Sequence, residues 1–353
     1  MSENSCFTPT TQLTFITTAN CTAKCDHCVM YCVPGDKRKL TFEQMKATID
    51  QYNKLSPLFL VVFSGGEPLL LGEDLYEALA YCDSLGILTR IVTNCYWAKD
   101  DESAERILRE LRESGLWELN ISCDDYHDPY VPFEYVKRAY KTSKSMGFSA
   151  VVIANSHSGK SKITPDYIKE QFGEDIYTKG DDDDDTLTDS RKKDGTFYML
   201  SNATLQNVGR AREKISPDNF VAVPNQNLYT GCRWCVNHPA ISPINHVWSC
   251  CGIQCDGNEV LDMGDLNKES AEDIMNRAYD NIFLVAIKKL GPMFLRDAAL
   301  RIDPDLRFKD SYSSVCEVCQ DLTENKDAVR ALKANYFNIY QAIKAVEAKK
   351  DEQ

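Results

Sequence analysis

Leu58-Phe-Leu-Val-Val-Phe-Ser-Gly-Gly-Glu-Pro68 is an apolar run of strand length that ends in a two-glycine turn. Further apolar runs begin near Ile87, Leu116 and Phe148, so the intervals are 29, 29 and 32 residues. Between these runs the pattern changes to a helical period. Phe42, Met45, Ile49 and Tyr52 form one stripe, Leu75, Leu79 and Cys82 a second, and Ile107, Leu108 and Leu111 a third. Thr41 and Gln44 have the spacing of a capping box at the start of the first helix. Gly86, Gly115 and Gly147 each fall just past a helical stretch, where a left-handed cap favours glycine. Strand, helix, glycine and strand, at about thirty residues per unit, predict a parallel β/α array. An opening strand at Gln12–Thr17 and a later one at Thr196–Leu200 bring the count to about six units. A closed barrel needs eight strands. The expectation is therefore an α/β fold: a partial (β/α)6 TIM-type barrel with a smaller cysteine-rich C-terminal domain.

Parallel β/α arrays carry their chemistry at the carboxyl ends of the strands. Here those ends hold Thr18–Cys28, Ser64–Pro68, Asn94–Tyr96, Ser122–His127 and Asn155–His157. The first contains Cys21-Thr-Ala-Lys-Cys25-Asp-His-Cys28. Three thiolates at this spacing can hold three irons of a [4Fe–4S] cube and leave the fourth iron to a non-protein ligand. Structural zinc is the competing reading, and it requires a fourth ligand such as His27 or Cys32. In the second strand end, Gly65 and Gly66 allow the backbone to approach a ligand closely. Glu67 can accept from a ligand ammonium, and Pro68 stiffens the turn.

Bulk properties bound the rest. The chain has 353 residues, a formal net charge of -13 and 15 cysteines. Its acidity argues against nucleic acid as the main partner. Residues 1–10 lack an apolar signal core, and no 18-residue apolar run follows, so no membrane association and a cytoplasmic location are expected. In that compartment clustered cysteines point to metal rather than disulfides. The stretch from 159 to 195 is polar, with Asp181–Asp185 followed by Arg191-Lys-Lys193, and reads as a solvated acidic insertion. The β/α rhythm fades near 222. The expected domains are 1–222, the barrel, and 223–353, a cysteine-rich region with an Ala/Lys-rich terminal helix around Lys326–Lys349.

The cysteine triplet after the first strand and Phe63-Ser-Gly-Gly-Glu-Pro68 after the second together resemble the radical S-adenosylmethionine (SAM) superfamily, over roughly residues 10–215. The resemblance implies a partial (β/α)6 barrel whose [4Fe–4S] cluster is chelated by SAM and reductively cleaves it. The product is a 5′-deoxyadenosyl radical that abstracts hydrogen from substrate. It implies cluster ligation by Cys21, Cys25 and Cys28, and SAM binding at Gly65, Gly66, Glu67 and Pro68. Ser122 and Asp124 resemble a pair that contacts the ribose hydroxyls, and Asn94 in Val92-Thr-Asn-Cys95 resembles a residue near the methionine or adenosine part. For these three, ordinary turn capping is the competing role. Gly209-Arg-Ala211 resembles a motif found at the barrel exit in relatives with an additional cluster domain.

The later cysteines extend the resemblance. Cys235 and Cys250 flank Asn245 in the manner of the opening of a SPASM or twitch domain, where a glycine usually stands in place of Asn245. Asparagine tolerates the left-handed turn this requires. Cys316-Glu-Val-Cys319 can complete a four-thiolate site with Cys235 and Cys250, giving one auxiliary [4Fe–4S] cluster; Cys232, Cys251 and Cys255 remain alternative ligands. A zinc ribbon of Cys232, Cys235, Cys316 and Cys319 is the competing reading. Cys95 and Cys123 belong to neither set. Each follows a barrel strand, where a thiol could return hydrogen to a substrate radical, against the plainer role of a small buried hydrophobe. Tyr126 and His127 share the loop of Cys123.

The implied activity is modification of a ribosomally synthesised peptide by crosslinking, epimerisation or oxidation. A radical SAM dehydrogenase or cyclase acting on a small molecule is the first alternative, and a non-enzymatic metal-binding module the second. The implied partners are a flavodoxin or ferredoxin as electron donor and a separate leader-binding protein.

Overall fold

The computed structural model describes residues 8–179 and 192–351; Asp181–Asp185 and Arg191 lie outside the described residues. Among the described residues eleven strands run in chain order: β1 (Gln12–Ile16), β2 (Leu60–Ser64), β3 (Leu88–Thr93), β4 (Glu118–Ser122), β5 (Ala150–His157), β6 (Tyr177–Lys179), β7 (Lys192–Lys193), β8 (Thr196–Thr204), β9 (Ala240–Ile241), β10 (His246–Trp248) and β11 (Asp262–Asp265). They share one sheet in the order β11-β10-β9-β1-β2-β3-β4-β5-β8-β6, with β7 on β8. The six strands β1 to β5 and β8 pair in parallel, each with the next. The path does not return to its start, so the barrel is open, as six units require.

The pleat sorts the side chains. On β3, Thr89, Ile91 and Thr93 are buried and alternate with Arg90 and Val92; on β4, Leu119 and Ile121 alternate with Asn120 and Ser122. Ile91, Leu119 and Ile121 join the core beneath the helices. Arg90, Val92, Glu118 and Ser122 instead line cavities on the inner face. Helices Phe42–Leu55, Glu73–Ser84, Asp101–Glu113 and Phe133–Ser143 connect successive strands. Their predicted stripes are buried: Met45, Ile49 and Tyr52, then Leu75, Leu79 and Cys82, then Leu108 and Leu111. Each large apolar side chain so buried contributes about 1.5–3 kcal/mol. The capping box forms, with Gln44 N donating to Thr41 Oγ1 at 3.3 Å and Thr41 N to Gln44 Oε1 at 3.0 Å. Gly86, Gly115 and Gly147 take the positive φ that the sequence pattern assigns them.

Three features differ from the sequence pattern or add to it. Between 159 and 179 the chain forms helix Pro165–Phe172 and then β6, which lies parallel on β8. That helix buries only Ile168 and Phe172, too few apolar positions to stand out in a polar stretch. The terminal segment is two helices rather than one, Lys326–Ala334 and Tyr336–Asp351. Asn335 separates them, its N–H bonded to the Leu332 carbonyl and its Nδ2 to the Ala331 carbonyl, both at 3.0 Å; such local bonding competes with helix continuation. Finally, β9 and β10 form a hairpin with Asn245 at φ +68, and β9 lies parallel on β1. The region after 222 thereby extends the barrel sheet at its first strand. No helix among the described residues is long and apolar enough to cross a membrane.

Candidate functional site

β1 delivers the chain at Ile16 into a loop that runs to Leu40 without regular structure, pinned by bridges between Thr18 and Lys39 and between Asn20 and Val33. Cys25 is buried, while Cys21 and Cys28 are half-buried. All three line a cavity of about 230 Å³, together with Gly65, Gly66, Asn94 and Ser122. Four of the predicted strand ends therefore converge on one space.

The two glycines are explained first by backbone packing. Gly65 has φ +128, and a Cβ there would lie 2.8 Å from the Thr18 carbonyl oxygen. A Cβ on Gly66 would overlap the Asn20 carbonyl. Gly66 N donates to Thr18 O at 2.7 Å and Glu67 N to Asn20 O at 2.9 Å, so the turn clips the cysteine loop in place. Pro68 opens a short 3-10 helix, Pro68–Leu71.

Glu67 faces inward and does not line the cavity. It is fully buried, and its carboxylate accepts from Thr93 Oγ1 and Asn94 N at 2.9 Å each and from Leu69 N at 3.3 Å. Burial pushes the Glu67 carboxyl up to about 7, against the pull of these three donors. The side chain thus ties the end of β2 to the end of β3. Asn94 completes that tie to the cysteines: its Nδ2 lies 3.0 Å from Thr22 Oγ1 and 3.7 Å from Cys21 Sγ.

Ser122 opens onto the cavity, but Asp124 is engaged elsewhere. Its Oδ1 accepts from Tyr126 N at 2.9 Å and His127 N at 3.0 Å, and His127 Nδ1 approaches at 2.9 Å. His27 Nε2 lies 3.4 Å from Oδ2. Burial would raise the Asp124 carboxyl, but His127 and His27 overcome this and hold it far below the usual range. Asp124 in turn raises His127 well above its ordinary value against the histidine's own burial, with a contribution from Cys25. Tyr126 stacks on His27 with centroids 4.8 Å apart.

Arg210, which the sequence pattern marked only as part of a barrel exit, reaches the cysteine loop. It is buried, and its Nη1 and Nη2 donate to the Cys25 and Cys32 carbonyls at 2.7 Å each. Its backbone N–H bonds the Cys28 carbonyl at 3.0 Å. Cys32 lines the same cavity and hydrogen-bonds Cys28, the leading cause that lowers the Cys28 thiol.

A zinc ion would draw its sulfurs to about 3.8 Å of one another. Among the described residues, the sets of three donor atoms within 4.8 Å of each other are His27/Asp124/His127 and His246/Asp256/Asp262, and neither contains a cysteine. Among the described residues the triplet thus does not form a single-ion donor set; three thiolates are the number that a cube with one open iron takes.

Cys95, Cys123 and the later cysteines occupy three surroundings, and the Cys251 thiol also lies near Cys232 and Cys316 of the first. Cys232, Cys235, Cys250, Cys316 and Cys319 line a small, largely apolar cavity of about 30 Å³ that Ser249 also borders, with Cys255 buried beside Cys250 and Cys319. Cys95 and Cys123 are buried in the hydrophobic core and line none of these cavities. Cys251 borders two spaces: the triplet cavity and a second cavity of about 430 Å³ within the barrel, lined by Arg90, Glu118, Tyr177, Lys179, Arg233 and Trp234 among others. There Arg90 Nη2 donates to Glu118 Oε2 at 2.9 Å. Nothing in the sequence separates Cys251 from its neighbour Cys250; only the fold does.

Comparison with known proteins agrees with this geometry. Residues 15–169 match the radical SAM superfamily. A Bacillus subtilis (strain 168) protein named "Putative peptide biosynthesis protein YydG" is 21% identical over 331 residues, which span 91% of this chain and 93% of that one. Among solved structures, anSMEcpe with bound AdoMet has a TM-score of 0.53 at 13% identity, covering 93% of this chain and 98% of that chain. Its complex with AdoMet and the Cp18Cys peptide gives 0.52 at 14% identity, covering 94% and 99%. At such identities the structures speak to the fold alone. The superfamily match begins within β1 and encloses the whole cysteine loop, the glycine turn and the next three strand ends. On that ground residues 15–169 form a radical SAM domain, whose superfamily uses a [4Fe–4S] cluster and S-adenosylmethionine.

Proposed function

We propose that this enzyme modifies a ribosomally synthesised peptide, and that the modification is an epimerisation completed by the thiol of Cys251. The observation that carries this reading is the position of Cys251 on both the triplet cavity and the barrel cavity. A peptide substrate is supported by the name of the YydG relative and by the peptide in the anSMEcpe complex.

Cys21, Cys25 and Cys28 would hold the cluster, with SAM against Gly65, Gly66, Asn94 and Ser122. When bound, cluster and SAM together supply the deoxyadenosyl radical that takes hydrogen from the substrate. The side chains of Glu67 and Asp124 act from behind, the first bracing Asn94 and the second the histidines beside Cys25. Cys251 S–H then gives one hydrogen atom to the substrate carbon radical, forming C–H and leaving a thiyl radical. One electron and one proton, the electron from a flavodoxin- or ferredoxin-class donor, restore the thiol. The five-cysteine cavity suits an auxiliary [4Fe–4S] cluster, with Cys235, Cys250, Cys316 and Cys319 as ligands and Cys232 as the alternative. Residues 223–353 would then form a SPASM- or twitch-like domain. A separate leader-binding protein would present the peptide.

The test is Cys251→Ala in the reconstituted enzyme with a candidate peptide. Wild type in D2O should place one deuterium on the inverted residue, because a thiol exchanges its hydrogen with solvent. The variant should keep its iron and still form 5′-deoxyadenosine while losing at least about 100-fold in epimerised product, consistent with loss of a group that acts on the reacting atom. Unchanged deuterium-labelled product from the variant would remove Cys251 from the mechanism.

A further inference from the structure

We infer that Arg210 is the fixed counter-charge of the cluster held by Cys21, Cys25 and Cys28, and that its charge sets how readily that cluster is reduced. Arg210 is only 4% exposed. Its guanidinium is bonded to two carbonyls of the cysteine loop, those of Cys25 and Cys32. These bonds satisfy donors but leave a full positive charge buried. Among the described residues no carboxylate lies within 4.0 Å of it. The other partly buried cations behave differently: Arg90 faces Glu118, Arg296 faces Asp297, and Lys309 faces Glu317. A buried charge without an opposite partner is strongly unfavourable.

The surroundings indicate where the partner belongs. Gly209 turns at φ +58, and a Cβ there would meet Val29 Cα at 2.5 Å and the Cys28 carbonyl at 2.8 Å. Arg210 N–H is bonded to the Cys28 carbonyl. The backbone is therefore brought down onto the loop by a residue without a side chain, and the next residue carries the charge. Attraction to Arg210 also favours the Cys28 thiolate. A cube held by three thiolates is a net anion and gains one further negative charge on reduction. A fixed cation close by stabilises the reduced form more than the oxidised form, so it raises the potential. The carbonyl bonds hold that cation at one distance, which makes Arg210 a positioning residue as well as a charge.

The experiment compares Arg210→Gln and Arg210→Lys in the reconstituted full chain. The readouts are iron per chain and a dithionite-driven redox titration followed by EPR, on the signal that SAM perturbs. Arg210→Gln should retain the cluster, and at the wild-type midpoint its reduced-to-oxidised ratio should fall at least about tenfold, which is about 59 mV for one electron. Arg210→Lys should stay within about twofold of wild type. A wild-type midpoint in Arg210→Gln, or an equal fall in both variants, would overturn the proposal. Should Arg210→Gln fail to load the cluster whose signal SAM perturbs, Arg210→Lys decides. Loading with a near-wild-type midpoint supports the counter-charge; failure to load, or a lowered midpoint, assigns Arg210 to loop geometry alone.

Discussion

The two cysteine groups of this chain are built in opposite ways. The triplet sits on an irregular loop whose shape comes from polar bonds: glycine-turn amides to the Thr18 and Asn20 carbonyls, Arg210 to the Cys25 and Cys32 carbonyls, Asn94 to Cys21. The second group lines an apolar cavity whose other walls include Ile253, Leu261, Ile287 and Pro292. One site is a polar frame around an opening, the other a closed apolar pocket. An open iron needs donors and acceptors around it, since a ligand must bind there. A cluster ligated wholly by protein needs only exclusion of water.

The largest expected effect comes from separating the two. Cys21/Cys25/Cys28→Ala should abolish 5′-deoxyadenosine formation and keep about half the iron, roughly four atoms per chain. Cys316→Ala/Cys319→Ala should lose the other half and still cleave SAM. Iron and nucleoside assays on the same preparations check this; loss of all iron from either variant would mean the groups are not independent. The next effect is Gly66→Ala. Its Cβ has no room beside the Asn20 carbonyl, so the loop must shift. We expect a cost of about 1–3 kcal/mol in denaturant unfolding and at least about tenfold weaker SAM binding, while the iron of the apolar site is kept.

The smallest effect is a pH dependence that only the polar frame should show. Glu67 titrates near 7 in the fold against an ordinary 4.5, so the folded chain binds more protons than the unfolded one between those values. Its contribution is fully present below about pH 4.5 and is lost as pH rises through 7. Before cluster loading, the unfolding free energy of wild type minus that of Glu67→Gln should fall across that window, by an amount on the order of 1–3 kcal/mol. Cys250, Cys255 and Cys319, held well above 9.0 by burial, add nothing there. A flat difference would mean that the three donors, not burial, govern Glu67.

Much of this contrast was legible before any coordinates. Strand and helix placement followed from apolar period and glycine position, because a parallel barrel repeats one local unit. The triplet was legible because its ligands are seven residues apart at most, and Gly65–Gly66 because backbone packing leaves only glycine possible. Arg210 was not, since its target lies some 180 residues upstream and no local pattern encodes that distance. Glu67 read as a ligand contact because a carboxylate after two glycines looks exposed; the return of Thr93 and Asn94 behind it is a tertiary fact. Cys95 and Cys123 lie in the core while Cys251 borders two cavities, a difference that no local pattern encodes. Asn335 ended a helix whose composition favours continuation, through one side-chain bond.

The seat of β9 on β1 has a consequence in time. The strand that feeds the cysteine loop pairs with Ala240 and Ile241, and the loop itself is held by Arg210. At roughly 5–20 residues per second, those segments leave the ribosome roughly ten to forty seconds after Cys28 does. Until then the nascent thiols have neither their strand neighbour nor their clasp. The loop that carries Cys21, Cys25 and Cys28 therefore reaches its folded surroundings only after the chain past Ile241 has emerged.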